Sequence, residues 1–195
     1  ETIETWRESS TPDMVRVVVA VDPSGAADED NAHNDAIGII VAGLGTDGNG
    51  YVLEDCTIKA GPKTWGQVAT SAYERHRGDK IVGETNYGGE MVKFVVQTAM
   101  PNVPFRKITA SRGKVLRAEP VAALTEKGKI RFVGRFPQLE EELCGFTTHG
   151  YTGSESPNRA DAFVFAMSEL FPGMVEEKRE KKPLSEYAHV GGWMS

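Results

Sequence analysis

Two rhythms of hydrophobic positions run through the 195-residue chain, and their order predicts its elements. Residues 15–21 (VRVVVAV) form a near-continuous β-branched run, the mark of a central strand buried on both faces. The run stops at Asp22-Pro23-Ser24-Gly25, a turn sequence. Residues 36–44 and 50–59 read as two further strands, and Gly45-Thr46-Asp47-Gly48-Asn49 between them makes the pair an antiparallel hairpin. Helical spacing then takes over at Trp65, Val68, Ala69, Ala72 and Tyr73, predicting a helix over residues 62–76 that opens on a proline and is ended by Gly78. Residues 81–84 (IVGE) are a short buried strand, followed by a helix that Pro101 terminates. Another strand is expected at residues 105–109, helical segments on either side of Pro120, and extended chain over residues 130–133. Residues 154–158 (SESPN) hold cap residues ahead of an apolar-periodic helix through Ala162, Phe163, Phe165, Ala166 and Leu170.

Three leading strands and then strand–helix alternation imply an α/β fold with a mixed central sheet and helices on both faces, the element order of the ribonuclease H-like fold. Residues 1–13 are polar and read as a linker or docking segment, residues 14–171 as one domain, and residues 172–195 as a flexible Lys/Glu-rich tail. A hydrophobic fraction of 39% and a charged fraction of 26% suit a globular domain with a real core. No apolar run reaches the ~20 residues that span a bilayer. Cys56 and Cys144 are too few for a disulfide framework or a thiolate metal site, and both are expected to be buried hydrophobes. The chain starts at Glu1 rather than Met, as a piece of a longer polypeptide would.

Charge is unevenly distributed within the net −6. Residues 22–35 carry five acids and no Lys or Arg, while residues 101–135 carry nine basic residues against two acids. Such a domain can bind cations in one region and a polyanion along the other; the alternative is two solvated faces of opposite sign.

The candidate chemistry lies at element ends. Asp22 ends the first buried strand, Glu84 ends the fourth, and Asp161 falls in the first turns of the last core helix. Ends of neighbouring central strands lie side by side, and a helix across that edge brings in a third carboxylate. Three carboxylates so close repel unless a cation lies between them. Mg²⁺ accepts one or two carboxylates plus substrate phosphate, and two ions ~4 Å apart can activate a water and stabilise the leaving oxygen of a phosphodiester. Each acid also has a plain alternative: turn initiation for Asp22, a helix cap or solvent for Glu84, dipole complementation for Asp161.

The chain resembles the C-terminal nuclease domain of the large terminase subunit of tailed bacteriophages. The resemblance runs through VVVAVDPSG (residues 17–25), NDAIGIIVAG (34–43), YVLED (51–55), IVGETNYGG (81–89), SRGKVLRAEPVAALTEKGKIRFVG (111–134) and SPNRADAFVFA (156–166). It places the family's three acidic motifs on Asp22, Glu84 and Asp161, and implies a metal-dependent endonuclease using Mg²⁺ or Mn²⁺ to cut concatemeric double-stranded viral DNA. It further implies an N-terminal ATPase domain in the same polypeptide, the terminase small subunit and the portal protein as partners, and the cytoplasm of the bacterial host as the place of work. No Gly-x-x-x-x-Gly-Lys-Ser/Thr loop occurs in this chain, which is therefore expected to be the nuclease part alone.

Secondary candidates surround this set. Asp35 opens the second strand and is expected as an additional metal ligand or outer acid; Asp28, Glu29 and Asp30 could gate metal entry, and His33 could orient a phosphate, each against an ordinary solvated role. Arg112, Lys114 and Arg117, extended by Lys127, Lys129 and Arg131, are expected to track DNA phosphates without base stacking. Rival functions are a Holliday-junction resolvase or ribonuclease H, an ATP-binding domain of the actin and sugar-kinase architecture, and a non-catalytic DNA-binding domain.

Overall fold

The structure, a computed structural model, describes residues 2–23, 36–84, 90–108, 113–147 and 150–175. The chain opens with α1 (Thr2–Thr5) and β1 (Arg7–Glu8), then forms β2 (Met14–Asp22), β3 (Gly38–Gly45) and β4 (Gly50–Asp55). Next come α2 (Pro62–Arg75), β5 (Lys80–Glu84), α3 (Met91–Ala99), β6 (Phe105–Ile108), α4 (Lys114–Glu126) and β7 (Ile130–Val133). The last part is α5 (Pro137–Cys144), a small hairpin of β8 (Phe146–Thr147) and β9 (Gly150–Tyr151), α6 (Asn158–Leu170) and α7 (Pro172–Val175).

Seven strands make one sheet in the order β1-β7-β4-β3-β2-β5-β6. β3 is antiparallel to both β2 and β4, and every other pairing is parallel. Period-two alternation sorts the β-branched runs onto two faces. Val18, Ala20, Ile40, Val52, Val82, Ile130 and Phe132 pack with α4, α5 and α6 on one face. Val17, Val19, Val21, Ile39, Val41 and Ile81 pack with Trp65 and Ala69 of α2 and Val92 and Val96 of α3 on the other. The expected mixed sheet with helices on both faces is the architecture found.

α6 is buried around most of its circumference, from Ala160 through Leu170 apart from Ser168. A helix apolar on all sides belongs inside a core, and α6 lies on β2 and β3 beneath α4 and α5. Its approach is close because Gly38 carries no side chain: a Cβ there would stand 2.0 Å from the carbonyl oxygen of Asn158.

Several local departures from the sequence expectations have physical causes. α2 ends with Arg77, not Gly78, in the left-handed region (φ 50), while the Gly78 N–H donates to Tyr73 O at 2.8 Å in a Schellman-type closure. Gly78 is needed for space, since a Cβ would meet the Tyr73 ring at 2.7 Å. α4 runs through Pro120 as one helix. The leading segment, expected as a linker or docking segment, supplies α1 and the edge strand β1, which pairs with β7 through Arg7–Phe132 and Glu8–Val133. It is fixed by polar chemistry that hydrophobic periodicity does not register: Arg7 donates bidentately to Glu140 at 2.8 and 2.9 Å, and Arg131 lies over the Trp6 ring and bonds Glu8. Cys144 is exposed, contrary to expectation, whereas Cys56 is part-buried and its thiol pKa is pushed up to about 12 by burial, with Glu54 adding to the shift. Among the described residues no helix is long and apolar enough to cross a membrane.

Two outcomes follow from this packing. Gly38→Ala should destabilise the chain by about 3 kcal/mol in urea melts, because the Asn158 backbone must retreat and carry the start of α6 with it. Glu140→Gln should cost about 1–2 kcal/mol at neutral pH. The hydrogen bonds from Arg7 hold the Glu140 carboxyl below the usual carboxylate range, helped by the Phe136 N–H. A lowered folded-state value means that this stabilisation is full above the ordinary carboxylate pKa and is lost as pH falls through the depressed one. The stability gap between Glu140→Gln and the parent chain should therefore close on acidification, measured by melts across that pH range.

Candidate active site

β2 and β5 run parallel with Val21 opposite Gly83, so the next residues, Asp22 and Glu84, end the two strands side by side. Val18, Ala20 and Val82 all face α6, and strand alternation turns Asp22 and Glu84 to the same face. On its other side Asp22 is paired with Gly38 of β3. Asp22 is 1% exposed.

Asp161 arrives from α6, one turn into the helix and 3% exposed. Its place follows from fastenings at both ends of α6. At the start, the Asn158 side-chain amide donates to Ala36 O at 2.6 Å, and Arg159 donates to Asp55 at 3.1 Å and Glu142 at 3.0 Å. Glu142 also accepts from the Ala160 N–H at 3.0 Å, capping the helix; burial pushes its carboxyl up against those hydrogen bonds. At the far end the buried Glu169 carboxylate meets Lys80 at 3.0 Å and Arg106 at 2.9 Å. Lys80 begins β5 and Glu84 ends it, so α6 lies along β5 in the opposite direction, with Asp161 at the Glu84 end.

Arg117 of α4 joins the two acids. Its guanidinium is 3.6 Å from Glu84 Oε1 and 3.4 Å from Asp161 Oδ1, and lies 5.2 Å from the centroid of the Phe165 ring. The Arg117 Nε is buried with no hydrogen-bond partner among the described residues. Lys114, in the first turn of α4, places its Nζ 2.6 Å from Asp161 Oδ2 and 3.2 Å from Ser156 Oγ. The structure thus brings Asp22, Glu84, Asp161, Lys114 and Arg117 to one sheet edge, the two cations engaged with carboxylates.

The rest of the expected basic track lies elsewhere. β2, β4 and β7 all run the same way, so Lys127 and Lys129 in the turn before Ile130 stand at the beginning-of-strand edge, opposite the edge that Asp22 ends. Arg131 is turned to the N-terminal segment, where Glu8 neutralises it beneath Trp6. The three are therefore not a continuation of Lys114 and Arg117, because α4 carries the chain from one edge of the sheet to the other. Asp35, His33, Asp28, Glu29, Asp30 and Arg112 lie outside the described residues.

As donors for a metal, Asp22, Glu84 and Asp161 offer only carboxylate oxygens, the chemistry of a hard dication such as Mg²⁺ or Mn²⁺. Among the described residues no three His, Cys, Asp or Glu side chains already stand in a metal-holding group; Lys114 and Arg117 supply the positive charge at Asp161 instead. The donor set fits such an ion in kind. Arg159 and Glu142, which help fix the start of α6, carry no signal of their own in the sequence, whereas Asn158 belongs to the stretch expected to cap this helix; Asn158 and Arg159 fall within residues 156–166 of the resemblance. Glu169 did leave a signal, an acid among apolar-periodic positions of a core helix.

Residues 19–170 match the terminase RNase H-like domain family. No curated protein sequence matches the chain. Among solved structures, the chain is similar to the P22 large terminase nuclease domain, at 14% identity over 91% of this chain and 93% of that one, with a TM-score of 0.65. It is similar to the large terminase nuclease of the thermophilic phage G20c at 16% identity, over 83% and 86% of the two chains, with a TM-score of 0.63. The large terminase of another thermophilic bacteriophage is matched at 13% identity and a TM-score of 0.60, over 84% of this chain but 42% of its own. The G20c nuclease has been solved with bound magnesium, and the nuclease domain of the Sf6 large terminase subunit with manganese. Sheet order, the meeting of strand ends with α6, and a family match over most of the length agree: the chain belongs to the terminase RNase H-like domain family, with a ribonuclease H-like fold.

Proposed function

We propose that the chain is the metal-dependent DNA endonuclease of a viral DNA-packaging motor, cutting concatemeric double-stranded DNA by phosphodiester hydrolysis. The observation that carries this reading is the gathering of Asp22, Glu84 and Asp161 at one sheet edge from β2, β5 and α6. The magnesium- and manganese-bound terminase nucleases of G20c and Sf6 support the choice of Mg²⁺ or Mn²⁺. Asp22, Glu84 and Asp161 would hold the metal, with Asp35 as a further ligand. Bound there, two such ions would supply the charge that activates a water and stabilises the leaving oxygen.

The chain's own groups do the remaining work. Burial of Asp22 and Asp161 excludes water from the carboxylates and strengthens their fields. Arg117 keeps Glu84 and Asp161 in a shared orientation from within the core. Lys114, with Arg112 beside it in sequence, contributes phosphate contacts at the same edge, which position a duplex without reading its bases. The longer terminase of the second thermophilic phage supports a larger polypeptide, since this chain spans less than half of it. The N-terminal ATPase domain, the small subunit and the portal are the partners this role requires, and the host cytoplasm is where it acts.

Asp22→Asn is nearly isosteric and should keep the fold while reducing plasmid cleavage in Mg²⁺ or Mn²⁺ by at least ~100-fold. Circular dichroism checks the fold and gel assays the cutting; undiminished cleavage by a clean preparation refutes the assignment. Linear duplex, a four-way junction and an RNA–DNA hybrid run side by side should show the duplex cut best. A preference for the junction or the hybrid would replace packaging by a resolvase or ribonuclease H role.

A further inference from the structure

The two cations at the acidic edge differ in how firmly they are held. Arg117 is 15% exposed, stacked on Phe165 and shared between Glu84 and Asp161. Lys114 is 40% exposed, belongs to the first turn of α4, and touches only Asp161 Oδ2 and Ser156 Oγ among the described residues. One cation is built into the core; the other reaches in from solvent on a flexible four-carbon stem.

We infer that Lys114 is an exchangeable counter-ion: a divalent metal displaces it from Asp161, and the released ammonium takes up a DNA phosphate, so that metal and DNA bind with positive coupling. The inference rests on the nuclease reading of this edge. Its physical basis is that the Asp161 side chain is 4% exposed. With Lys114 withdrawn, Asp161 keeps Arg117 near Oδ1 at 3.4 Å but its buried Oδ2 loses the cation it faces, which is costly unless another cation replaces it. A dication meets that need, after which Lys114 has no carboxylate to neutralise and stands exposed at the edge where the duplex would lie. Linkage makes the effect reciprocal: a phosphate that draws Lys114 away clears Asp161 for metal to the same degree that metal clears Lys114 for phosphate. Without metal the lysine is engaged internally and makes no phosphate contact.

The test uses the whole chain, unaltered and as Lys114→Met, with Lys114→Gln as a second variant should the first fold poorly. Calorimetric Mn²⁺ titration without DNA should show the variant binding at least about threefold tighter, since the competing ion pair is gone. Anisotropy with a hydrolysis-resistant phosphorothioate duplex is then measured over a salt series, in EDTA and in Mn²⁺. In EDTA, variant and unaltered chain should bind the duplex alike. In Mn²⁺ the unaltered chain should bind more tightly, with a log–log salt slope steeper by about one. A lysine that simply contacts phosphate would weaken the variant equally in both conditions, and that result overturns the exchange, as does unchanged or weaker Mn²⁺ binding by both variants. If the unaltered chain binds no Mn²⁺ at all, the nuclease reading fails and the exchange fails with it; Mn²⁺ binding without the predicted difference refutes the exchange alone.

Discussion

The arrangement depends on one constraint, that a nearly all-buried helix must lie across the sheet in a single register. Apolar packing gives α6 its place in the core but little preference along its own axis. Charge supplies that preference. Glu169 is fixed by Lys80 and Arg106 near the start of β5 and β6, and Asp161 is bridged to Glu84 at the end of β5 by Arg117. The two fastenings are eight residues apart on α6 and four apart on β5, which is about 12 Å along a helix and about 13 Å along a strand. The matching spans let both close at once. A slide of α6 by one turn would leave Glu169 or Asp161 buried without a partner, and either is costlier than a lost apolar contact.

The same constraint explains why the acids can be crowded without unfolding the edge. Carboxylates that converge raise each other's pKa or expel one another unless cations intervene. Here the intervening charge comes from one helix, α4, whose first two turns place Lys114 and Arg117 against α6. Within the described residues, Asp161 thus has its counter-charge from Lys114 and Arg117, and Glu84 shares Arg117.

How much of this was legible in the sequence follows from which forces leave a periodic trace. The β-branched run before Asp22, the IVG before Glu84 and the apolar-periodic helix around Asp161 all record burial, so the elements and the ends that carry the acids were readable. β1 was not: its two residues are Arg7 and Glu8, and it is held by Arg7–Glu140, Arg131–Glu8 and stacking on Trp6 rather than by apolar pattern. Arg131 illustrates the converse. In a basic window it looks like a phosphate contact, yet the partner that neutralises it lies 123 residues earlier in the chain. The turn after α2 looked like a glycine C-cap because Gly78 is there, but the left-handed position falls on Arg77 and the glycine serves the Tyr73 ring. Sequence shows the kinds of groups present; only register shows which of them meet.

The basic stretch makes the limit quantitative. Residues 101–135 read as one positive region, and as a linear string of charges the field would be continuous across it. α4 has 13 residues, so its two ends are about 20 Å apart. That is about two Debye lengths at 0.1 M ionic strength, and charges so separated on a surface hardly feel each other. Lys114 and Arg117 at one end act on Asp161, whereas Lys127 and Lys129 at the other stand where β7 begins. Electrostatically these are two sites. A polyanion lying along the edge at Asp161 and Glu84 would gain little from the turn lysines unless it wrapped the length of the helix, so the local field at those acids is set by the small group of cations in direct contact with them.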